Sequence, residues 1–237
     1  MTGEDGSEVR LLAQADLLFL LAGRLRSGHG NDDPAEGAAM SDLRRLEEAS
    51  GLDNGGASLD DMERARRAVP EEQLRTEHCR LFEGAVLCPP NETAYVRRDK
   101  GTILADLAGF HRAFGFEHDE QVGEKRDHII SEIQFVGLLL VMFARARSSD
   151  LREEEKVTYD ALAAFAGDHL GTWIESFCDR LIECTELIFF THLAGVLRKA
   201  WSWICADNGL PLPETAAAEL DRQSGSPYEC GGCPSAR

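Results

Sequence analysis

Positive charge is what this sequence has least of. Against 42 aspartates and glutamates stand 25 lysines and arginines, a formal charge of −17 over 237 residues and a pI near 4.8. Phosphate binding needs a basic face and the counterion release that comes with it, so the deficit argues against nucleic acid as partner. It argues equally against docking on an anionic bilayer. A cationic peptide or basic protein segment is attracted instead. Long apolar runs are also missing. The longest, residues 135–144, falls well short of the about 20 needed to span a bilayer. The apolar stretch at 17–22 follows Glu4, Asp5 and Glu8 with one Arg, so it has no positively charged leader in front of it. It reads as the first core helix of a cytoplasmic protein.

Catalytic motifs are missing as well. There is no GxxxxGK[ST] phosphate loop, GxGxxG, HExxH or GxSxG. The nearest approach to a phosphate loop, Gly23 to Gly28 followed by His29, lacks the lysine and follows a helix rather than a strand. The seven histidines are scattered, with no pair at metal-binding helical spacing. An enzyme of a common motif-bearing family is not expected. Seven cysteines are present, at positions 79, 88, 178, 184, 205, 230 and 233, and most fall in apolar helical patterns that suit buried, reduced thiols. Only Cys230 and Cys233 have ligand or redox spacing. They supply two ligands where a closed zinc site needs four. They belong either to a plain polar tail or to a metal or iron–sulfur carrier completed by a partner's ligands.

What is there is helix. Strand-like alternation of useful length and fixed-period repeats are both absent. Helical periodicity predicts segments at 11–26, 41–49, 58–69, from Pro70 to about 82 or 83, from Thr102 to Gly115, 128–147, from Asp150 to about 166, around 170–181, and 187–205. Ser58 and Pro70 stand at helix starts. Asp127 is expected to cap the central, almost wholly apolar helix. The fold class expected is all-α, a single-domain bundle of about ten helices over residues 8–210, with a polar tail at 211–237 carrying the CxxC pair. Residues 27–38 read as a loop.

One segment breaks the helical rhythm. Residues 84–101 contain Pro89-Pro90, which forbids a helix, together with Glu92, Tyr95 and paired arginines. Long irregular segments inside compact domains tend to carry function.

Four stretches together resemble the TorD/DmsD/NarJ family of redox enzyme maturation chaperones. The first runs Glu77-His78-Cys79-Arg80-Leu81-Phe82-Glu83-Gly84, similar to an aromatic-x-Arg-Leu-Phe-x-Gly segment. The second is Pro89-Pro90-Asn91-Glu92-Thr93-Ala94-Tyr95, similar to a Pro-Pro-x-Glu-Ser-x-Tyr loop. The third is Asp127-His128-Ile129-Ile130-Ser131-Glu132-Ile133-Gln134-Phe135, which closely matches an Asp-His-Ile-x-x-Glu-Leu-x-Phe signature. The fourth sets His169, Leu170, Trp173, Phe177 and Leu181 at the spacing of a His-Leu-x-x-Trp-x-x-x-Phe helix. Residues 105–115 are similar to a version seen in chaperones of the DMSO reductase type II branch, with His111 in place of a more usual Tyr.

The resemblance implies a cytoplasmic chaperone without catalytic activity. It would bind the twin-arginine signal peptide and the apo catalytic subunit of a molybdopterin oxidoreductase, assist cofactor insertion and prevent premature export. It implies no cofactor of the chaperone's own, although some relatives bind GTP and some form dimers. The candidate peptide-binding residues are Asp127, His128, Glu132, Glu92, Tyr95, Pro89, Pro90, Arg80, Leu107 and Phe110. Asp127 is expected to offer an exposed carboxylate to a guanidinium, Glu92 and Tyr95 to form a mobile wall, and Leu107 and Phe110 an apolar floor. Glu132 is open between an acidic site and a plain surface carboxylate, and Arg80 between groove and an internal pair with Glu132 or Asp127. The alternatives are a GTP-binding or hydrolysing regulator using Asp127 and His128, and the metal or iron–sulfur carrier.

Overall fold

The computed structural model describes residues 3–26, 40–52, 56–117 and 125–212. The expected loop at 27–38, most of the connector at 117–126 and the tail with Cys230 and Cys233 lie outside the described residues. Those described form nine α-helices and no strand. In chain order they are α1 (Gly3–Arg26), α2 (Met40–Ser50), α3 (Leu59–Arg67), α4 (Glu71–His78), α5 (Lys100–Ala113), α6 (Ile129–Ser148), α7 (Arg152–Asp168), α8 (Leu170–Cys184) and α9 (Ile188–Asn208). A π turn (Cys79–Glu83) prolongs α4, and a 3₁₀ turn (Glu92–Ala94) interrupts the segment between α4 and α5. The all-α expectation holds.

Local chemistry explains the helix ends. The Ser58 hydroxyl accepts from the Asp61 amide and caps α3, and Asp99 does the same for α5 through Thr102. Gly209, at φ +62°, closes α9 in the left-handed conformation that an L side chain rarely adopts. At α6 the expectation needs correction. His128, not Asp127, is the N-cap, and its ring Nδ1 accepts from the Ile130 amide at 3.2 Å. The Asp127 side chain is engaged elsewhere.

Helix α6 is the axis of the bundle. It is apolar on nearly every side, with α1 and α7 packed along it and α8 meeting its N-terminal end. By length and composition it would pass for a membrane span, beyond the shorter run counted from sequence, but 72% of its most apolar window is buried inside the fold. Gly137 lets α1 come close, because a Cβ there would lie 2.7 Å from the Phe19 ring. Helix α9 packs against α8, α3 and α1. Its end is fastened to α1 by Asp207, which accepts from Arg10 and Gln14, and by Asn208, which donates to Gln14. A buried Arg24–Glu63 ion pair joins α1 to α3. Aromatic residues line the inner faces of α5, α6, α7 and α8: Phe110, Phe135 and Phe165 meet edge to face or tilted, and Trp173 meets Phe177 edge to face. The irregular segment at 84–99 meets the α8 aromatics through Tyr95, which lies against Trp173 and Phe177.

Candidate functional site

The entrance of α6 exposes backbone donors that the helix itself cannot satisfy. The Pro-Pro segment supplies part of the answer. Pro90 O accepts from the Ile129 amide at 2.8 Å, and the Glu92 amide donates to Asp127 O at 2.8 Å. Asn91 and His128 thereby form an isolated antiparallel bridge. Pro90 has no N–H to satisfy and is itself buried. Residues 89–95 therefore lie as a strap across the start of the central helix.

Side chains fasten the strap further. Asn91 Nδ2 donates to Asp127 Oδ1 at 3.1 Å, and Thr93 Oγ1 donates to Asp127 Oδ2 at 2.7 Å. Tyr95 stacks on the Trp173 indole of α8, with centroids 5.4 Å apart, and meets Phe177 edge on. Burial pushes the Tyr95 phenol well above its ordinary range. Glu92 is wholly buried, and its Oε2 lies 3.0 Å from His169 Nδ1 at the start of α8. Glu132, one turn into α6, is also wholly buried and accepts from Trp173 Nε1 at 3.0 Å.

Three carboxylates thus converge on one buried spot. Burial raises the Glu132 carboxyl well above the usual carboxylate range, and the charges of Glu92 and Asp127 raise it further. The Trp173 N–H opposes them. The Glu92 side chain faces Glu132 and raises its carboxyl through hydrogen bonding as well as through charge. With both ionised, the Oε1 atoms of Glu92 and Glu132 would be buried without a donor. One proton held between them satisfies both. His169 Nε2 is buried with no hydrogen-bond partner, while its Nδ1 faces Glu92. No group of three or more His, Cys, Asp or Glu among the described residues is arranged to hold a metal ion.

The structure brings together most, but not all, of the residues expected from sequence. Glu92, Tyr95, Pro89, Pro90, Asp127, His128 and Glu132 share one site. Several roles change. Asp127 is 1% exposed, so it is not the exposed carboxylate expected, and of the two readings left open for Glu132 the plain surface carboxylate is removed, because it is fully enclosed. Leu107 is fully buried and cannot be an open floor. Phe110 is half-buried, packed edge on to Phe165 and His169. Arg80 pairs with neither Asp127 nor Glu132. It makes a bidentate pair with Glu77 at 2.7 and 2.8 Å and donates to Cys184 O. Glu77 also accepts from Thr185 Oγ1 and the Glu186 amide, so this pair fastens α4 to the α8–α9 corner. These donors hold the Glu77 carboxyl below its ordinary value despite its burial. Absent from the expected set were Asn91, Thr93, His169 and Trp173. The last two stood in the fourth family-like stretch, and the signal was in hand. For Asn91 and Thr93 the only cue was their place between Pro90 and Tyr95.

Fold and site define a class: an all-helical bundle with a strapped, carboxylate-rich cluster at the entrance of its central helix. The chain belongs to the family described as nitrate reductase delta subunit, whose model matches residues 45–179, more than half of its length. This is the NarJ/TorD-like family of maturation chaperones for molybdenum enzymes, which bears out the resemblance read from the motifs. Membership gives the chain the general role of a chaperone acting with molybdoenzyme catalytic subunits. Three of the four family-like stretches lie inside the match, and the fourth ends at Leu181, two residues past it. No curated protein and no solved structure matches the chain.

Proposed function

We propose that the protein is a cytoplasmic chaperone that binds the twin-arginine signal peptide and the apo catalytic subunit of a molybdopterin oxidoreductase. It holds that subunit until the cofactor is in place and so prevents premature export. The observation that carries this reading is the cluster beneath the strap. Glu92, Asp127 and Glu132 are gathered in one buried place with His169 as the facing imidazole, next to an aromatic wall of Tyr95 and Trp173. A guanidinium offers the planar, multiply donating cation that such carboxylates accept, and the apolar part of a signal peptide matches the aromatic wall. The chain's net charge of −17 favours encounter with a cationic segment. Because the carboxylates are enclosed, binding requires the strap to lift. The working unit is residues 8–210, with the CxxC tail outside it.

The test is calorimetric titration of the full chain with a synthetic signal peptide carrying Arg-Arg, and with the same peptide carrying Gln-Gln. Binding of the first, weakened at least tenfold in the second, is expected. Equal affinity for both peptides would remove the ion-pairing role.

A further inference from the structure

We propose that residues 89–95 form a proton-latched strap: a single proton held between Glu92 and Glu132 fastens it over the entrance of α6, and loss of that proton releases it. The contacts of the strap divide into two kinds. The backbone bonds to Asp127 and Ile129, the Asn91 and Thr93 bonds to Asp127, and the Tyr95 stack on Trp173 involve no ionisable partner that must be neutral. The Glu92–Glu132 contact is different. With one proton it is a hydrogen bond between a carboxyl and a carboxylate. Without it, two neighbouring like charges stand buried away from water, where Coulomb forces are least screened.

The surroundings do not relieve that repulsion. From the α6 entrance Asp127 adds a third negative charge, with His128 beside it. From the start of α8 only His169 can become cationic, and one imidazolium against three carboxylates leaves the cluster negative. Lys125 and Arg126, just ahead of α6, are exposed to solvent. The α5 side presents the Phe110 ring, and α8 the Trp173 indole, neither of which carries charge.

When the repulsion appears, one partner must move. Glu132 lies on α6, whose neighbouring turns are buried in the core. Glu92 lies on a three-residue 3₁₀ turn between a Pro-Pro corner and the exposed residues 97–100. The strap is the side that yields. Lifting it parts Tyr95 from Trp173 and opens an indole face next to ionised carboxylates. Use of that opening to admit a signal peptide rests on the function proposed above; the latch itself does not.

Amide hydrogen exchange of the full chain tests the latch. The Glu92 amide donates to Asp127 O and the Ile129 amide to Pro90 O, each at 2.8 Å across the seam between strap and α6, so their exchange reports strap opening. Exchange is followed between about pH 5.5 and 8.5, corrected for intrinsic base catalysis by comparison with the amides of α9. The opening constant is expected to rise about tenfold per pH unit once the pair loses its proton. In Glu132→Gln the amide donates to Glu92 at every pH, and the slope is expected to vanish. Should that variant not fold, Glu92→Gln is measured, with the same expectation. A wild-type opening constant independent of pH, or an unchanged slope in the variant, overturns the latch. The Arg-Arg peptide separates the two ideas. Tight binding to a strap whose opening ignores pH overturns the latch alone. A pH-dependent strap that binds no peptide upholds the latch and removes the signal-peptide reading.

Discussion

Asp127 holds the strap by two donors, and the loss of each can be sized. Asn91 Nδ2 and Thr93 Oγ1 both donate to its carboxylate, at 3.1 and 2.7 Å. Hydrogen bonds to a charged group contribute about 1.5–3 kcal/mol, and neutral ones about 0.5–1.5 kcal/mol. Asp127→Asn keeps one acceptor oxygen, and its new N–H₂ can donate to the Thr93 hydroxyl, which rotates. What disappears is the charge assistance, about 1 kcal/mol per bond, or about 1–2 kcal/mol together. Asp127→Ala removes both acceptors and leaves two polar groups to find water. Because Asn91 and Thr93 are only half-buried, water reaches them, and the loss is expected at about 2–3 kcal/mol rather than the sum of two charged bonds. The assay is twofold. Urea denaturation at neutral pH reads the global change, and exchange of the strap amides reads the local one. Opening of the strap is expected to rise about tenfold in Asn and about thirtyfold or more in Ala, taking 1.4 kcal/mol per factor of ten. If Asp127→Ala leaves strap protection within twofold of wild type, the strap is held by something other than these two bonds.

Other variants and conditions report on other parts of the structure. Trp173→Phe deletes the N–H that Glu132 accepts at 3.0 Å and is expected to lower stability by about 1–3 kcal/mol in urea, while shifting the loss of the Glu132 proton to still higher pH. The Glu132 carboxyl is raised above its ordinary value of 4.5, so its contribution to stability is complete below that value and is lost as pH rises through the raised value. Glu132→Gln should flatten that part of the stability–pH curve. Glu77 works in the other sense. Its carboxyl is lowered by Arg80, Glu186 and Thr185, so its contribution is present above 4.5 and is lost as pH falls through the lowered value; Glu77→Gln should blunt acid sensitivity in that window. Among the five described cysteines only Cys79 is exposed, and burial pushes the Cys88 and Cys205 thiols up to about 12. Alkylation at neutral pH with peptide mapping should label Cys79 well before Cys88, Cys178 or Cys205.

Much of the bundle was legible because helical periodicity and helix ends are local. Leu170, Trp173, Ile174, Phe177, Cys178 and Leu181 recur on one face, and all are buried in α8. Ser58 and Gly209 end their helices with chemistry that acts over three or four residues. The site was legible in membership but not in geometry. Pro89-Pro90, Asp127 and Glu132 stood out by pattern, and they do meet. What sequence could not supply is that the strap lies face down on α6. That pairing joins residues 91 and 128 and buries the Asp127 carboxylate that was expected to be exposed. Asp127 illustrates the point. It stands one residue before the cap, and only the arrival of Asn91 and Thr93 from far along the chain determines what its side chain does. Arg80 was misplaced for a related reason. Its partner Glu77 lies three residues away, a local pair rather than one with the distant Asp127 or Glu132.

The most direct measurement is affinity capture of the chain from its native cells under anaerobic, enzyme-inducing growth, with the captured proteins identified by mass spectrometry. The expected result is the catalytic subunit of a molybdopterin oxidoreductase, recovered as a precursor with its twin-arginine signal peptide uncleaved. Recovery of the mature subunit only, or of no molybdopterin subunit at all, would contradict the signal-peptide chaperone reading.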